Sequence, residues 1–162
     1  MTDEIREFIK TLSHPLKFRM FLITRLPSAY FSGLKLQSID SDSCSIQVPF
    51  KWFTKNPFRS TYFACLAMAA EMSTGALAMA HLYKREPAVS MLVTGLKADY
   101  HKKATGISVF TCRDGQRFRE AVEEAIQTNT PQTVIARSEG LNEAGDLIAE
   151  FLITWSFKTK TR

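Results

Sequence analysis

Ile5, Phe8, Ile9 and Leu12 recur at i, i+3, i+4 and i+7, the spacing that lines one face of an α-helix. Ser13 followed by Pro15 reads as a cap and a helix-opening proline, since the missing proline N–H has no partner in a first turn anyway. A second helix is predicted to turn Leu16, Met20 and Ile23 inward and to stop at Pro27. From about Tyr30 the period shortens to two. Leu34 and Leu36 alternate with Lys35 and Gln37, Asp40-Ser41-Asp42-Ser43 makes a turn, and Cys44, Ile46, Val48 and Phe50 alternate with polar neighbours. That pattern predicts a β-hairpin.

Residues 60–82 break both periods. Ser60-Thr61 supply a helix start, residues 62–70 are wholly apolar, and the apolar character resumes after Glu71, the single charged side chain between Ser60 and Ala80. A run of about 20 residues would span a bilayer. A central Glu is costly in hydrocarbon, however, and alanine adds little insertion energy, so no membrane span is expected. Alanines at 64, 67, 69, 70, 76, 78 and 80 let other backbones approach on every side, which points to a helix wrapped by protein.

After Pro87 come strand-like stretches, Val89 to Ala104 and Gly106 to Cys112. Asp114-Gly115 then opens a short amphipathic helix with Phe118, Ala121, Val122, Ala125 and Ile126 on one face. Strands resume at Gln132 to Ser138. A turn containing Asn142 and Gly145 leads into Leu147 to Phe157, where Phe151, Ile153, Trp155 and Phe157 point one way. The order predicts an α+β domain spanning residues 1–162: a curved antiparallel sheet wrapped around a long central helix, with a helical N-terminal extension over residues 1–27.

Composition narrows the class. Of 162 residues 45% are hydrophobic and 12 are Phe, which excludes collagen-like and disordered chains and supplies a core without staples. Cys44, Cys65 and Cys112 are far apart, and the first residues are acidic and lack the marks of a leader, so free thiols and a cytoplasmic location are expected. The net charge of +5 is spread over Lys51, Lys55 and Arg59, then Lys97, Lys102 and Lys103, then the tail. Scattered cations read as solvated faces, and no nucleic-acid partner is expected. His14, His81 and His101 stand isolated, so no metal site, serine elbow or phosphate-binding glycine loop is predicted.

Glu71 is the sharpest candidate. A carboxylate among apolar neighbours loses hydration, which disfavours its ionised form and suits a general base or nucleophile. A structural Glu bonded across a subunit contact fits the same environment. Ahead of it, Lys55 to Tyr62 is polar and turn-rich and leads into a helix N-terminus, whose unpaired N–H groups favour developing negative charge. Asn56 there offers an amide to a substrate or a water, or serves as a turn residue before proline.

Asn56, Tyr62 six residues on, and Glu71 nine further inside an Ala-rich helix resemble the hotdog-fold acyl-CoA thioesterases, in particular the phenylacetate-degradation type and the branch related to it. The resemblance implies Glu71 as base or nucleophile and Asn56 near the substrate carbonyl and attacking water. Tyr62-Phe63-Ala64 take the place of the family's His-Gly-Gly and its oxyanion-binding backbone. Thr74 is a candidate to orient water, or bonds back into its own helix. Arg59, Lys102 and Lys103 are candidates for the phosphates of coenzyme A, and Phe50, Trp52, Phe53, Phe58 and Phe63 for the acyl pocket. The implied substrate is an acyl-CoA or acyl carrier thioester, with coenzyme A entering only as part of it and no other cofactor. Partners expected on the same ground are further copies of the chain, as a homodimer or dimer of dimers with the site at the subunit contact. The alternative, favoured by the missing His-Gly-Gly, is a protein that binds acyl or CoA groups without turnover.

Overall fold

The computed structural model describes residues 2–160. Helix α1 (Asp3–Leu12) starts where the Thr2 hydroxyl accepts from the Ile5 N–H, with Asp3 and Glu4 at its positive end, and buries Ile5 and Leu12. Helix α2 (Pro15–Arg25) opens on Pro15, but His14 is its cap residue and Ser13 instead closes α1. Its facing differs from expectation. Phe18 and Leu22 are buried, whereas Leu16, Met20 and Ile23 stand 70%, 64% and 47% exposed. The helix is apolar on two sides, and only the side with the phenylalanine ring found the core. Pro27 does not end helical structure either. It opens a further short helix, α3 (Pro27–Ser32), as proline does in a first turn, and Gly33 closes that helix at φ +78°.

Six strands form one sheet: β1 (Lys35–Ile39), β2 (Cys44–Val48), β3 (Val89–Tyr100), β4 (Ser108–Cys112), β5 (Gln132–Asn142) and β6 (Leu147–Thr159). Their order is β1-β2-β4-β5-β6-β3 and every neighbouring pair is antiparallel. β1 and β3 are therefore the two edges. The Asp40 carboxylate ties the β1–β2 turn by accepting from the N–H groups of Asp42 and Ser43. Register shifts in the β1–β2, β3–β6 and β5–β6 ladders bend the sheet, as bulges do.

The long helix α4 (Phe63–Leu82) lies in the hollow of that sheet, against β2, β4, β5 and β6. By length and composition it would cross a membrane, yet 67% of its apolar window is buried inside the protein. Helix α5 (Gly115–Thr128) packs on α4 and on the end of the sheet through Phe118, Ala121, Val122 and Ala125. Phe151, Ile153, Trp155 and Phe157 all point inward, as the alternation required. All three cysteines are free and buried.

Two boundaries matter for the site. α4 begins at Phe63 rather than at Ser60-Thr61, because the Thr61 N–H and hydroxyl both donate to the Ala104 carbonyl, at 2.7 and 3.1 Å. β3 ends at Tyr100, so Lys102 and Lys103 lie beyond the strand.

Candidate active site

The passage from Lys55 to Tyr62 is held by its own hydrogen bonds. Lys55 and Thr61 form an isolated antiparallel bridge, and Arg59 takes a left-handed conformation, φ +57°, at the tip. Asn56 organises the rest. Its Oδ1 accepts from the N–H groups of Phe58 and Ser60, at 3.0 and 3.1 Å, and its Nδ2 donates to Ser60 Oγ and the Thr61 carbonyl. Both donors and both lone-pair directions of the amide are thus committed. Asn56 shapes the loop instead of reaching into solution.

This loop and the first turn of α4 face residues 100–104 across a cavity of about 570 Å³. Phe58, Tyr62, Phe63 and Leu66 form one wall; Tyr100, His101, Lys102, Lys103 and Ala104 form the other. Of the predicted acyl-pocket aromatics, Phe58 and Phe63 line the cavity, whereas Phe50, Trp52 and Phe53 do not. Trp52 is 85% exposed. The cause is local: Trp52–Thr54 is a 3₁₀ turn whose inward residue is Thr54, which donates to the Pro49 carbonyl and accepts from the Lys51 N–H, so both rings swing outward. Of the predicted phosphate-binding cations, Lys103 lines the cavity without an ion pair among the described residues, Lys102 pairs with Asp146 at 3.0 Å, and Arg59 lies outside the lining.

At the helix start the Tyr62 N–H is already taken by the Thr54 carbonyl, at 2.7 Å. Of the three predicted backbone donors, the N–H groups of Phe63 and Ala64 therefore remain without an acceptor among the described residues. Below them α4 keeps one incompletely covered strip, Ala64, Ala67, Met68 and Glu71, at helical spacing. The strip leads away from the cavity wall at Leu66 to the acid.

Glu71 is half-buried and its carboxylate has no hydrogen bond or ion pair to any described residue. Burial pushes its pKa above the usual 4.5, and no opposing charge pulls it back. The side chain folds toward the next turn, where a Cβ on Gly75 would lie 3.3 Å from Glu71 Oε1 and 3.2 Å from the Trp155 ring. Gly75 is what lets acid and indole share that space. Trp155 in turn donates its indole N–H to Thr74 Oγ1 at 2.9 Å, while Thr74 donates to the Glu71 carbonyl. Thr74 is fully buried with its proton committed, so it braces the helix at Glu71.

Of the predicted site residues, the structure brings Asn56, Phe58, Tyr62, Phe63, Lys102 and Lys103 to one cavity, leaves Ala64 outside its lining, and sets Glu71 apart, about 12 Å from Phe63 along the helix axis at the usual rise per residue. Tyr100, His101, Leu66 and Trp155 were not foreseen at the site. Only a glycine one turn after Glu71 signalled, in sequence, that something approaches closely there.

A family model described as a domain of unknown function, DUF4442, matches residues 17–157. The chain belongs to the DUF4442 family. No curated protein matches the sequence. Among solved structures, a Pseudomonas aeruginosa protein of unknown function, described as a probable thioesterase, is 19% identical; the match covers 90% of this chain and 97% of that one with a TM-score of 0.77. A Chlorobaculum tepidum protein of unknown function is 16% identical over 93% and 99% of the two chains, with a TM-score of 0.76. A thioesterase from Haemophilus influenzae is 12% identical over 98% and 93%, with a TM-score of 0.61. These likenesses establish the hotdog fold for this DUF4442 chain.

Proposed function

We propose that the protein hydrolyses an acyl thioester, with acyl-CoA or an acyl carrier thioester as substrate. The observation that carries the reading is Glu71: a carboxylate without a partner among the described residues, its pKa raised by burial, at the end of an incompletely covered strip that leads from a helix start where Phe63 lines an apolar cavity and two N–H groups lack an acceptor among those residues. That combination is the one a thioester hydrolase needs, a carboxylate made more basic by burial to take a proton from water and donors for a developing oxyanion. The thioesterase names carried by structures of the same fold support the reading.

In this mechanism Glu71 takes a proton from water as the water oxygen bonds to the thioester carbonyl carbon. The carbonyl oxygen becomes an oxyanion held by N–H groups at a helix start. Collapse breaks the C–S bond, and the proton returns to the departing thiolate. A carbonyl must lie about 3 Å from both the base and the donors. Within one chain Glu71 is two turns from Phe63 and folded toward Gly75, away from the helix start. We therefore place base and donors of each reaction centre on different copies of the chain.

β3 supplies the means. It is a 12-residue edge strand, paired only with β6, whose Leu92, Leu96 and Tyr100 are 66%, 54% and 47% exposed. A long apolar edge is an aggregation hazard unless something pairs with it. Antiparallel pairing of two β3 strands covers it and closes both active sites. The cation Lys103, and Lys102 once released from Asp146, meet the phosphates of coenzyme A at the cavity wall.

Purified protein assayed for thiol release against short, medium and long acyl-CoAs tests the reading, and activity that survives Glu71→Ala removes it. A second reading, retention of acyl-CoA without turnover, is favoured by Phe63, whose 56% exposed ring stands where the resembling enzymes carry glycine. Calorimetric binding with no thiol release selects that alternative.

A further inference from the structure

The outer side of α2 belongs to a surface that neither the core nor the proposed reaction centre uses. Leu16, Met20 and Ile23 form a stripe along it, opposite the buried Phe18 and Leu22. Side-chain contacts carry the stripe onto α3 and the 3₁₀ turn. The Arg19 guanidinium donates to the Tyr30 hydroxyl at 3.0 Å, Tyr30 meets Phe31 edge-on at 5.4 Å, and the Phe31 ring lies 6.3 Å from that of Phe53. Phe31, Trp52 and Phe53 are 55%, 85% and 52% exposed. Around them stand the exposed cations Lys17, Arg19, Arg25, Lys51 and Lys55. No acidic residue occurs between Glu7 and Asp40, nor between Asp42 and Glu71.

We propose that this surface docks on an anionic phospholipid bilayer. Contiguous exposed apolar groups on a soluble protein mark an interaction site. A helix with an apolar outer stripe flanked by Lys and Arg lies in the plane of the headgroups, and tryptophan prefers that interface. The charge decides between occupants. In an isologous contact with a second copy the patch would meet itself, setting like cations against one another. An anionic membrane complements them. A nucleic acid would satisfy the cations and leave the Leu16–Met20–Ile23 stripe wet. α3 leads into β1, the edge opposite β3, so this surface is separate from the edge assigned above to a second copy. The inference is independent of the hydrolase reading.

The full chain is mixed with vesicles of phosphatidylcholine plus phosphatidylglycerol, or of phosphatidylcholine alone, and followed by co-sedimentation and tryptophan emission. Trp155 is buried, so a blue shift on binding reports Trp52 and disappears in Trp52→Phe. Binding to the mixed vesicles is expected at low salt, released by added salt as the charges are screened. Each removed cation is expected to weaken it about five-fold. Lys17→Glu with Lys51→Glu is expected to abolish it, and Leu16→Ser with Met20→Ser to weaken it at least ten-fold, on the order of two buried aliphatic groups. All four positions are exposed, so thermal melts identify any variant that fails to fold, and the two pairs test the surface separately. No sedimentation and no blue shift, or equal binding to neutral vesicles, overturns the proposal. So does an altered mass of Leu16→Ser with Met20→Ser in analytical ultracentrifugation without vesicle binding, which assigns the stripe to a second copy. Thiol release from a water-soluble short acyl-CoA stays unchanged in Leu16→Ser with Met20→Ser, so failure of this inference and of the hydrolase reading are read separately.

Discussion

The two halves of α4 are both rich in alanine and are covered differently. From Met72 to Ala78 every side chain is buried, and its polar groups are satisfied: Ser73 bonds the Ala70 carbonyl and Ser138, and Thr74 bonds Trp155. Between Ala64 and Glu71 one strip stays incompletely covered, and its single charged group has no partner among the described residues. Glu71 in mid-helix and His81 in the last turn also differ. His81 is buried and its Nε2 is held by the Ser41 carbonyl, with burial lowering its pKa, whereas the Glu71 carboxylate is raised and unpaired. One alanine-rich helix thus has a sealed half and a half with an incompletely covered strip.

Substitutions sharpen this contrast. The largest effect is expected from Glu71→Gln, which removes the base and is expected to lower thiol release by about 10²–10⁴-fold; retention of wild-type rates would erase the functional difference between the halves. Phe63→Pro removes one helix-start donor while keeping a residue suited to the first helical position. It is expected to cost about 10²–10³-fold with the melting curve little changed. If base and donor come from different copies, mixing Glu71→Gln with Phe63→Pro protein restores part of the activity, and no restoration argues for a site within one chain.

In the sealed half the readout is stability. Leu77→Ala empties a fully buried position and is expected to cost about 2–5 kcal/mol by thermal or denaturant unfolding. Trp155→Phe removes the bond to Thr74 and is expected to cost about 1 kcal/mol.

The smallest effect concerns pH. Glu71 holds its proton more tightly folded than unfolded, so its contribution favours the native state below about pH 4.5 and is lost as pH rises through the raised folded value. Glu71→Gln abolishes that loss and is expected to raise Tm at neutral pH, as read in thermal melts. The hydrolysis rate runs the other way, rising with pH through the same titration because the base must be ionised. A variant that is both more stable and inactive at neutral pH separates the acid's chemistry from a packing role.

Much of the fold was legible because burial on one face imposes a period. The β6 side chains at 151, 153, 155 and 157, the α5 face from Phe118 to Ala125, and the Asp40–Ser43 turn all lie where the periodicity placed them. The site was legible only as far as its chain segment: Glu71 and the helix start were visible as residue types. Where two answers satisfied the same pattern, sequence did not discriminate. α2 offers two apolar stripes. Asn56 suits a ligand and a turn equally. The aromatics at 52 and 53 can line a pocket or face out, and the hydroxyl of Thr54 settled that by taking the inward place.

Residue order alone determined that a charge-poor, alanine-rich helix would be enclosed by antiparallel strands, since an apolar cylinder leaves no side to water. Which part of that cylinder stays uncovered, and which way each amphipathic or two-sided element turns, was decided only in three dimensions. Those outcomes depend on competition between distant groups for the same space and the same hydrogen bonds, and no local pattern records who wins it.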